Sequence, residues 1–114
     1  MPKNVTTKQL SDAQLDAVAR RFRALAVPSR LRVLNALMPG PLGMSALADA
    51  TGLAQSNLSR QVTELEEAGC VTRSRAGREV RVEISDPTLR ELCELVCGAL
   101  ERQASVKQQA LRGA

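Results

Sequence analysis

The chain has 114 residues, a formal net charge of +4, a single aromatic residue, three cysteines and no histidine. That length suits one domain with a thin core, spanning 1–114 with 1–9 disordered, and small domains often gain stability by associating. The absence of His disfavours zinc, nickel and haem sites, and an odd number of Cys without framework spacing, with no signal-like or membrane-spanning apolar run, points to a reduced, cytoplasmic protein.

Leu10-Ser11-Asp12-Ala13-Gln14-Leu15 reads as a helix start. Ser11 is placed as the N-cap, Gln14 closes a capping box, and Leu10 and Leu15 are spaced as a hydrophobic staple. Leu15, Val18, Phe22 and Leu25 then recur at helical spacing, so a first helix runs to about Ala26. Pro28 suits the first turn of a second helix carrying Leu31, Val33, Leu34 and Leu37, which Met38-Pro39-Gly40-Pro41 ends. Ser45 is placed to cap a short third helix, Ala46 to Thr51, closed by Gly52. A fourth helix is expected from Gln55 to Ala68, with Leu58, Val62 and Leu65 as its buried stripe and Gly69 as its stop.

Cys70 to Ser74 and Glu79 to Ile84 read as two strands around the turn Arg75-Ala76-Gly77-Arg78, and Pro87 opens a last helix reaching about Gln109. The fold class is therefore mainly α with a small β-hairpin. The order of a short helix, a Gly turn, a polar helix and an arginine-bearing hairpin is that of a winged helix-turn-helix. Double-stranded DNA is the leading partner, and the expected operator is an imperfect inverted repeat bound by a homodimer.

In such a pair the second helix enters the major groove with its N-terminal half against base edges. The candidates are Gln55, Ser56, Asn57, Ser59, Arg60, Gln61 and Thr63, since Asn and Gln suit adenine, Arg suits guanine, and hydroxyls suit phosphates. The acids Glu64, Glu66 and Glu67 lie at the far end of that helix. Arg73, Arg75 and Arg78 on the hairpin are the second set of DNA contacts.

Cys93 and Cys97 are four residues apart and share a helix face. A helical wheel joins Leu89, Cys93, Val96, Leu100 and Leu111 in one apolar stripe. Two readings stand side by side. Both thiols are small hydrophobes filling a helix seam, or they form a thiol switch. A direct bond between them would strain the helix, because i,i+4 Cβ atoms are about 5–6 Å apart and a disulfide wants about 3.5–4.5 Å. A polysulfide or persulfide bridge, or an arsenic(III) or antimony(III) ion, spans the gap with less distortion. Cys70, at the exit of the fourth helix, reads as structural, with a lesser prospect of serving as a third sulfur ligand.

Three blocks resemble the ArsR/SmtB family of winged-helix repressors: FRALAVPSRLRVLNAL (Phe22 to Leu37), LAQSNLSRQVTELEEAGCV (Leu53 to Val71) and REVRVEISDPTLRELCELV (Arg78 to Val96). The resemblance implies a homodimer packed through the N- and C-terminal helices, repression relieved by a ligand, and DNA contacts at Ser56, Asn57, Ser59, Arg60 and Gln61. The chain departs from the family pattern in four places. Gln61 stands where His is frequent, and Val27 where Asp often precedes the Pro. GMSALAD (Gly43 to Asp49) replaces the thiolate motif of the third helix, and the His-containing zinc pattern of the last helix is absent. No cofactor is required on this reading. The alternative function is a non-sensing interaction or architectural module with structural cysteines. An enzyme is not expected, because the thiols have no His base and there is no phosphate loop or paired-carboxylate site.

Overall fold

The computed structural model describes residues 9–113, so the disorder expected of 1–9 falls outside the described residues for all but Gln9. The elements run α1 (Asp12–Leu25), α2 (Pro28–Leu37), β1 (Leu42–Gly43), α3 (Met44–Thr51), α4 (Gln55–Glu67), β2 (Val71–Ala76), β3 (Glu79–Ile84) and α5 (Thr88–Gly113).

The start of α1 is as the sequence dictates. The Gln14 amide donates to Ser11 Oγ at 3.2 Å and the Gln14 side chain accepts from the Ser11 amide at 2.9 Å. Leu10 and Leu15, the expected staple, are both exposed. Pro28 sits in the first turn of α2, whose Val27 N-cap offers no side-chain acceptor. Helix α3 begins two residues earlier than the Ser45 cap implied. Gly43 is its N-cap, with extended backbone and no side-chain bond. The physical reason is a strand that the pattern did not reveal: Leu42 and Gly43 pair antiparallel with Val82 and Arg81, so the chain stays extended to Gly43 and coils directly afterwards.

The sheet order is β1-β3-β2. The hairpin pairs Val71 with Ile84 through to Ala76 with Glu79. Its first strand therefore runs two residues further toward the tip than expected, the second keeps the expected Glu79 to Ile84, and the turn is only Gly77-Arg78, with Gly77 at φ +66°. Glycine at the first position of a two-residue turn matches the twist of the strands. Cys70 precedes β2 instead of opening it. Its amide donates to Leu65 O and its carbonyl accepts from the Ser85 amide. Gly69, at φ +78°, lets the chain leave α4 in the left-handed conformation that stops a helix.

One core gathers Val33, Leu34 and Leu37 of α2, Leu47 of α3, Leu58, Val62 and Leu65 of α4, and Cys70, Val71, Val82 and Leu89. Burying each of these leucines fully contributes about 1.5–3 kcal/mol. Two polar ties fix the outer helices. Arg21 of α1 pairs with Asp86 at 2.5 Å, and Arg90 of α5 donates to the Met38 carbonyl at the end of α2. Asp86 also accepts from the Thr88 amide and hydroxyl, so the start of α5 is capped by side chain, with Pro87 between.

Leu89 departs from the expected stripe of α5. It is buried inside the protomer, whereas Val96, Leu100 and Leu111 are exposed. The exposed apolar surface lies on α1, α2 and α5 and includes Leu15, Val18, Phe22, Leu31, Val96 and Leu100. Among the described residues no helix is long and apolar enough to cross a membrane.

Candidate nucleic-acid interface and thiol groove

Helices α3 and α4 are joined by Gly52-Leu53-Ala54, with Gly52 at φ +72° in the left-handed region. Leu58, Val62 and Leu65 pin α4 to the core, which turns the opposite face outward. Gln55, Ser56, Ser59 and Arg60 are exposed there, and Asn57 is half-buried. Ala54 precedes the helix and has no side chain to cap it, so the first-turn amides of α4 stay open to an acceptor such as a phosphate oxygen.

Three of the expected contacts are placed differently. Gln61 is only 9% exposed. Its carbonyl accepts from Arg30 Nε at 2.9 Å and its amide donates to Asn57 Oδ1 at 2.9 Å, so it lies behind the surface and does not itself reach a base edge. The spacing carried this signal: Gln61 is three residues after Leu58 and four before Leu65, which puts it on the buried face. Thr63 and Arg73 face each other. Arg73 Nη2 donates to Thr63 Oγ1 at 2.8 Å and to Ser59 O at 3.0 Å, and Nη1 lies 3.9 Å from Glu66. These bonds clasp β2 to α4 and hold the hairpin beside the helix. Arg75 and Arg78, by contrast, are exposed around the hairpin turn, and no described side chain pairs with either.

Arg30 is the residue that sequence reasoning missed. Besides Gln61 it donates to the Ala24 carbonyl at 3.3 Å and lies 3.9 Å from Glu64, so it joins the ends of α1 and α4 through α2. Its place in PSRLRVL, one residue before Leu31 and three before the buried Val33, was a faint sign of a buried partner.

The thiols sit apart from this surface. Cys93 and Cys97 line an apolar groove of about 480 Å³ whose walls include Phe22, Leu31, Val96 and Leu100. Cys93 is half-buried and Cys97 exposed. The Cys97 thiol donates to Glu101 Oε1 at 3.5 Å, and that carboxylate holds its pKa above the ordinary thiol value. Cys70 is buried in the core, and burial pushes its thiol up as well, partly offset by the nearby Arg21. It therefore belongs to the packing around α4 and the Arg21–Asp86 pair, not to the groove. Among the described residues no group of three or more His, Cys, Asp or Glu side chains is placed to hold a metal ion.

A helix-turn-helix with its polar face outward, a hairpin clasped beside it and an apolar face left open on the outer helices together define a homodimeric winged helix-turn-helix DNA-binding protein. Comparison with known proteins places it more closely. A family model described as MarR family matches residues 28–79. The chain is 40% identical over 84 residues to the transcriptional regulator NmtR of Mycobacterium tuberculosis, covering 73% of this chain and 70% of that one. It is 37% identical over 101 residues to the transcriptional regulator CmtR of Mycobacterium bovis, covering 85% and 86%. Among solved structures, a homodimeric winged helix-turn-helix domain from Mycobacterium bovis, described as a possible ArsR-family regulator, superposes with a TM-score of 0.72 at 32% identity, over 83% of this chain and 91% of that one. The antimony-specific transcriptional repressor AntR superposes with a TM-score of 0.77 at 27% identity, over 92% and 96%. The chain belongs to the ArsR/SmtB family of winged-helix transcriptional regulators.

Proposed function

We propose that this protein is a cytoplasmic repressor that binds an imperfect inverted repeat as a homodimer and leaves it when a thiophilic ligand engages Cys93 and Cys97. The observation that carries the sensing half is the shared groove. Both thiols open onto the apolar surface between α1, α2 and α5, and α1 and α5 are the helices through which the homodimer packs on this reading. A ligand bridging them there alters the seam on which the spacing of the two α4 helices depends, and that spacing must match the half-sites of the operator.

Within thiol chemistry the metalloid ions arsenic(III) and antimony(III) are favoured over persulfide and peroxide. The nucleophile in sulfur exchange is the thiolate, and Glu101 disfavours the thiolate of Cys97. Arsenic(III) and antimony(III) are present in neutral water as hydroxides, whose hydroxyl groups leave as water with the thiol protons, so their exchange needs no standing thiolate. The likeness to an antimony-specific repressor points the same way. The half-burial of Cys93 among apolar side chains supports the competing reading, in which the cysteines only fill the seam.

The test is fluorescence anisotropy of fully reduced protein on DNA from upstream of its gene. Arsenite, antimonite, a persulfide donor and peroxide are titrated in turn, with the Cys93→Ser/Cys97→Ser double variant alongside. Release by arsenite or antimonite in the wild type, and none in the variant, is the expected result. Release by persulfide or peroxide alone reassigns the chemistry. Binding indifferent to all four makes the cysteines structural, and absence of specific binding by the reduced protein removes the repressor reading.

A further inference from the structure

Behind the reading face of α4 runs a short chain of hydrogen bonds with a fixed direction. It begins at Arg30 of α2, passes to Gln61 Oε1 at 2.9 Å, and continues from Gln61 Nε2 to Asn57 Oδ1 at 2.9 Å. A guanidinium is donor-only, and a primary amide has one accepting end and one donating end. Arg30 therefore forces Gln61 to present its oxygen inward. Gln61 then faces Asn57 with its NH2 group, and Asn57 must answer with its oxygen. What remains on Asn57 for the outside is its own NH2 group with two donors, beside the second lone pair of an oxygen whose direction Gln61 has fixed.

We infer that Arg30 and Gln61 are positioning residues that polarise Asn57, so that it turns its NH2 group to the acceptors of the major groove, guanine O6 and N7, adenine N7 and thymine O4, and disfavours cytosine. The inference rests on the assignment of α4 as the reading helix. Three features support the positioning role. Gln61 is 9% exposed, so neither end of its amide is free to turn toward water. Arg30 is itself held by the Ala24 carbonyl and by Glu64, so the start of the chain is anchored on two other elements. Asn57 lies in the first turns of α4, half-buried between the relay and the surface, where the N-terminal residues of a recognition helix meet base edges. The major-groove edges divide as the inference requires: guanine O6 and N7, adenine N7 and thymine O4 accept, whereas cytosine offers only its N4 donor.

The sharpest test reverses the chain. In Gln61→Glu the carboxylate still accepts from Arg30 but can only accept from Asn57 as well. Asn57 must then turn its NH2 group inward and expose its oxygen. Selection of binding sequences from a pool of randomised duplexes is run on the wild type, Asn57→Ala, Gln61→Glu and Gln61→Met, each confirmed as folded by circular dichroism. The wild type selects against cytosine at one position of each half-site, by on the order of tenfold. Asn57→Ala loses preference at that position alone. Gln61→Glu, which turns the Asn57 oxygen outward to accept from a base amino group, admits cytosine there, and Gln61→Met, which leaves the amide of Asn57 free to turn, abolishes the discrimination against cytosine without changing the other positions.

If Asn57→Ala alters one position while both Gln61 variants still exclude cytosine there, the relay is refuted and the reading helix stands. If Asn57→Ala changes nothing while the wild type selects a sequence, Asn57 reads no base and the relay is refuted; if the wild type selects no sequence, the reading helix falls with it. Should Gln61→Glu fail to fold, Gln61→Met decides the matter: retained exclusion of cytosine refutes the relay.

Discussion

The division of labour among the wing arginines can be read from the salt dependence of DNA binding. Arg75 and Arg78 are exposed and free of described partners, whereas Arg73 is bound to Thr63 and Ser59. A homodimer carries four such wing arginines, and all four are expected to lie on phosphates. Each phosphate neutralised contributes about −0.9 to the slope of log affinity against log salt, so the wing alone supplies a slope of about −3 to −4. Between about 50 and 200 mM salt that is a loss on the order of a hundredfold. Arg75→Ala and Arg78→Ala should each remove two contacts per dimer and lower the slope by about 2, without changing which sequence is preferred. Arg73→Met should leave the slope alone and act on stability instead, by about 1 kcal/mol, because it unclasps β2 from α4. Fluorescence anisotropy titrations at four salt concentrations, with urea melts of the same variants, measure both quantities. A slope that falls in Arg73→Met but not in Arg75→Ala or Arg78→Ala would refute the assignment.

Three further outcomes are expected. Ser11→Ala should lower stability by about 1 kcal/mol in a urea melt, since the capping box at the start of α1 loses its acceptor. Asp86 has its carboxyl pKa lowered by the Thr88 hydroxyl first, then by Arg21 and the Thr88 amide. A depressed folded-state pKa contributes stability above the unfolded value, near 3.9, and loses it as pH falls through the folded value. The stability gap between wild type and Asp86→Asn should thus be present at neutral pH and close at strongly acid pH; a gap independent of pH would count against the ion pair and its hydroxyl bond. Finally, Glu101→Gln should speed alkylation of Cys97 at mildly alkaline pH by freeing its thiolate, while Cys70 stays unlabelled until denaturant unfolds the chain. Unchanged labelling of Cys97 would show that Glu101 does not govern the thiol.

The helices were legible because their signals are local. Ser11 with Gln14, Pro28, Gly52 and Gly69 each mark a boundary within a few residues of the backbone group they serve, and Leu58, Val62 and Leu65 mark a face by spacing alone. Strand β1 was not legible for the opposite reason. Two residues have no periodicity, and Leu42 and Gly43 become a strand only because Val82 and Arg81 lie alongside them, about forty positions later. The displaced start of α3 follows from the same pairing.

The DNA face shows where composition stops being a guide to role. Thr63 and Arg73 have the chemistry of phosphate contacts, yet a basic side chain on a strand beside a helix finds the hydroxyl and carbonyl of that helix before it finds a ligand. Gln61 is the stronger case. Its residue type suggested a base contact, and its spacing from Leu58 and Leu65 placed it inward; the structure follows the spacing, because burying one hydrogen-bonded amide costs less than turning the leucine stripe out of the core. Its partner, Arg30, lies on a different helix, so no pattern within α4 could have named it. A buried amide with its oxygen held by Arg30 and its NH2 group given to Asn57 is fixed in direction, and that direction, set by a residue on α2, is passed on to the half-buried amide of Asn57.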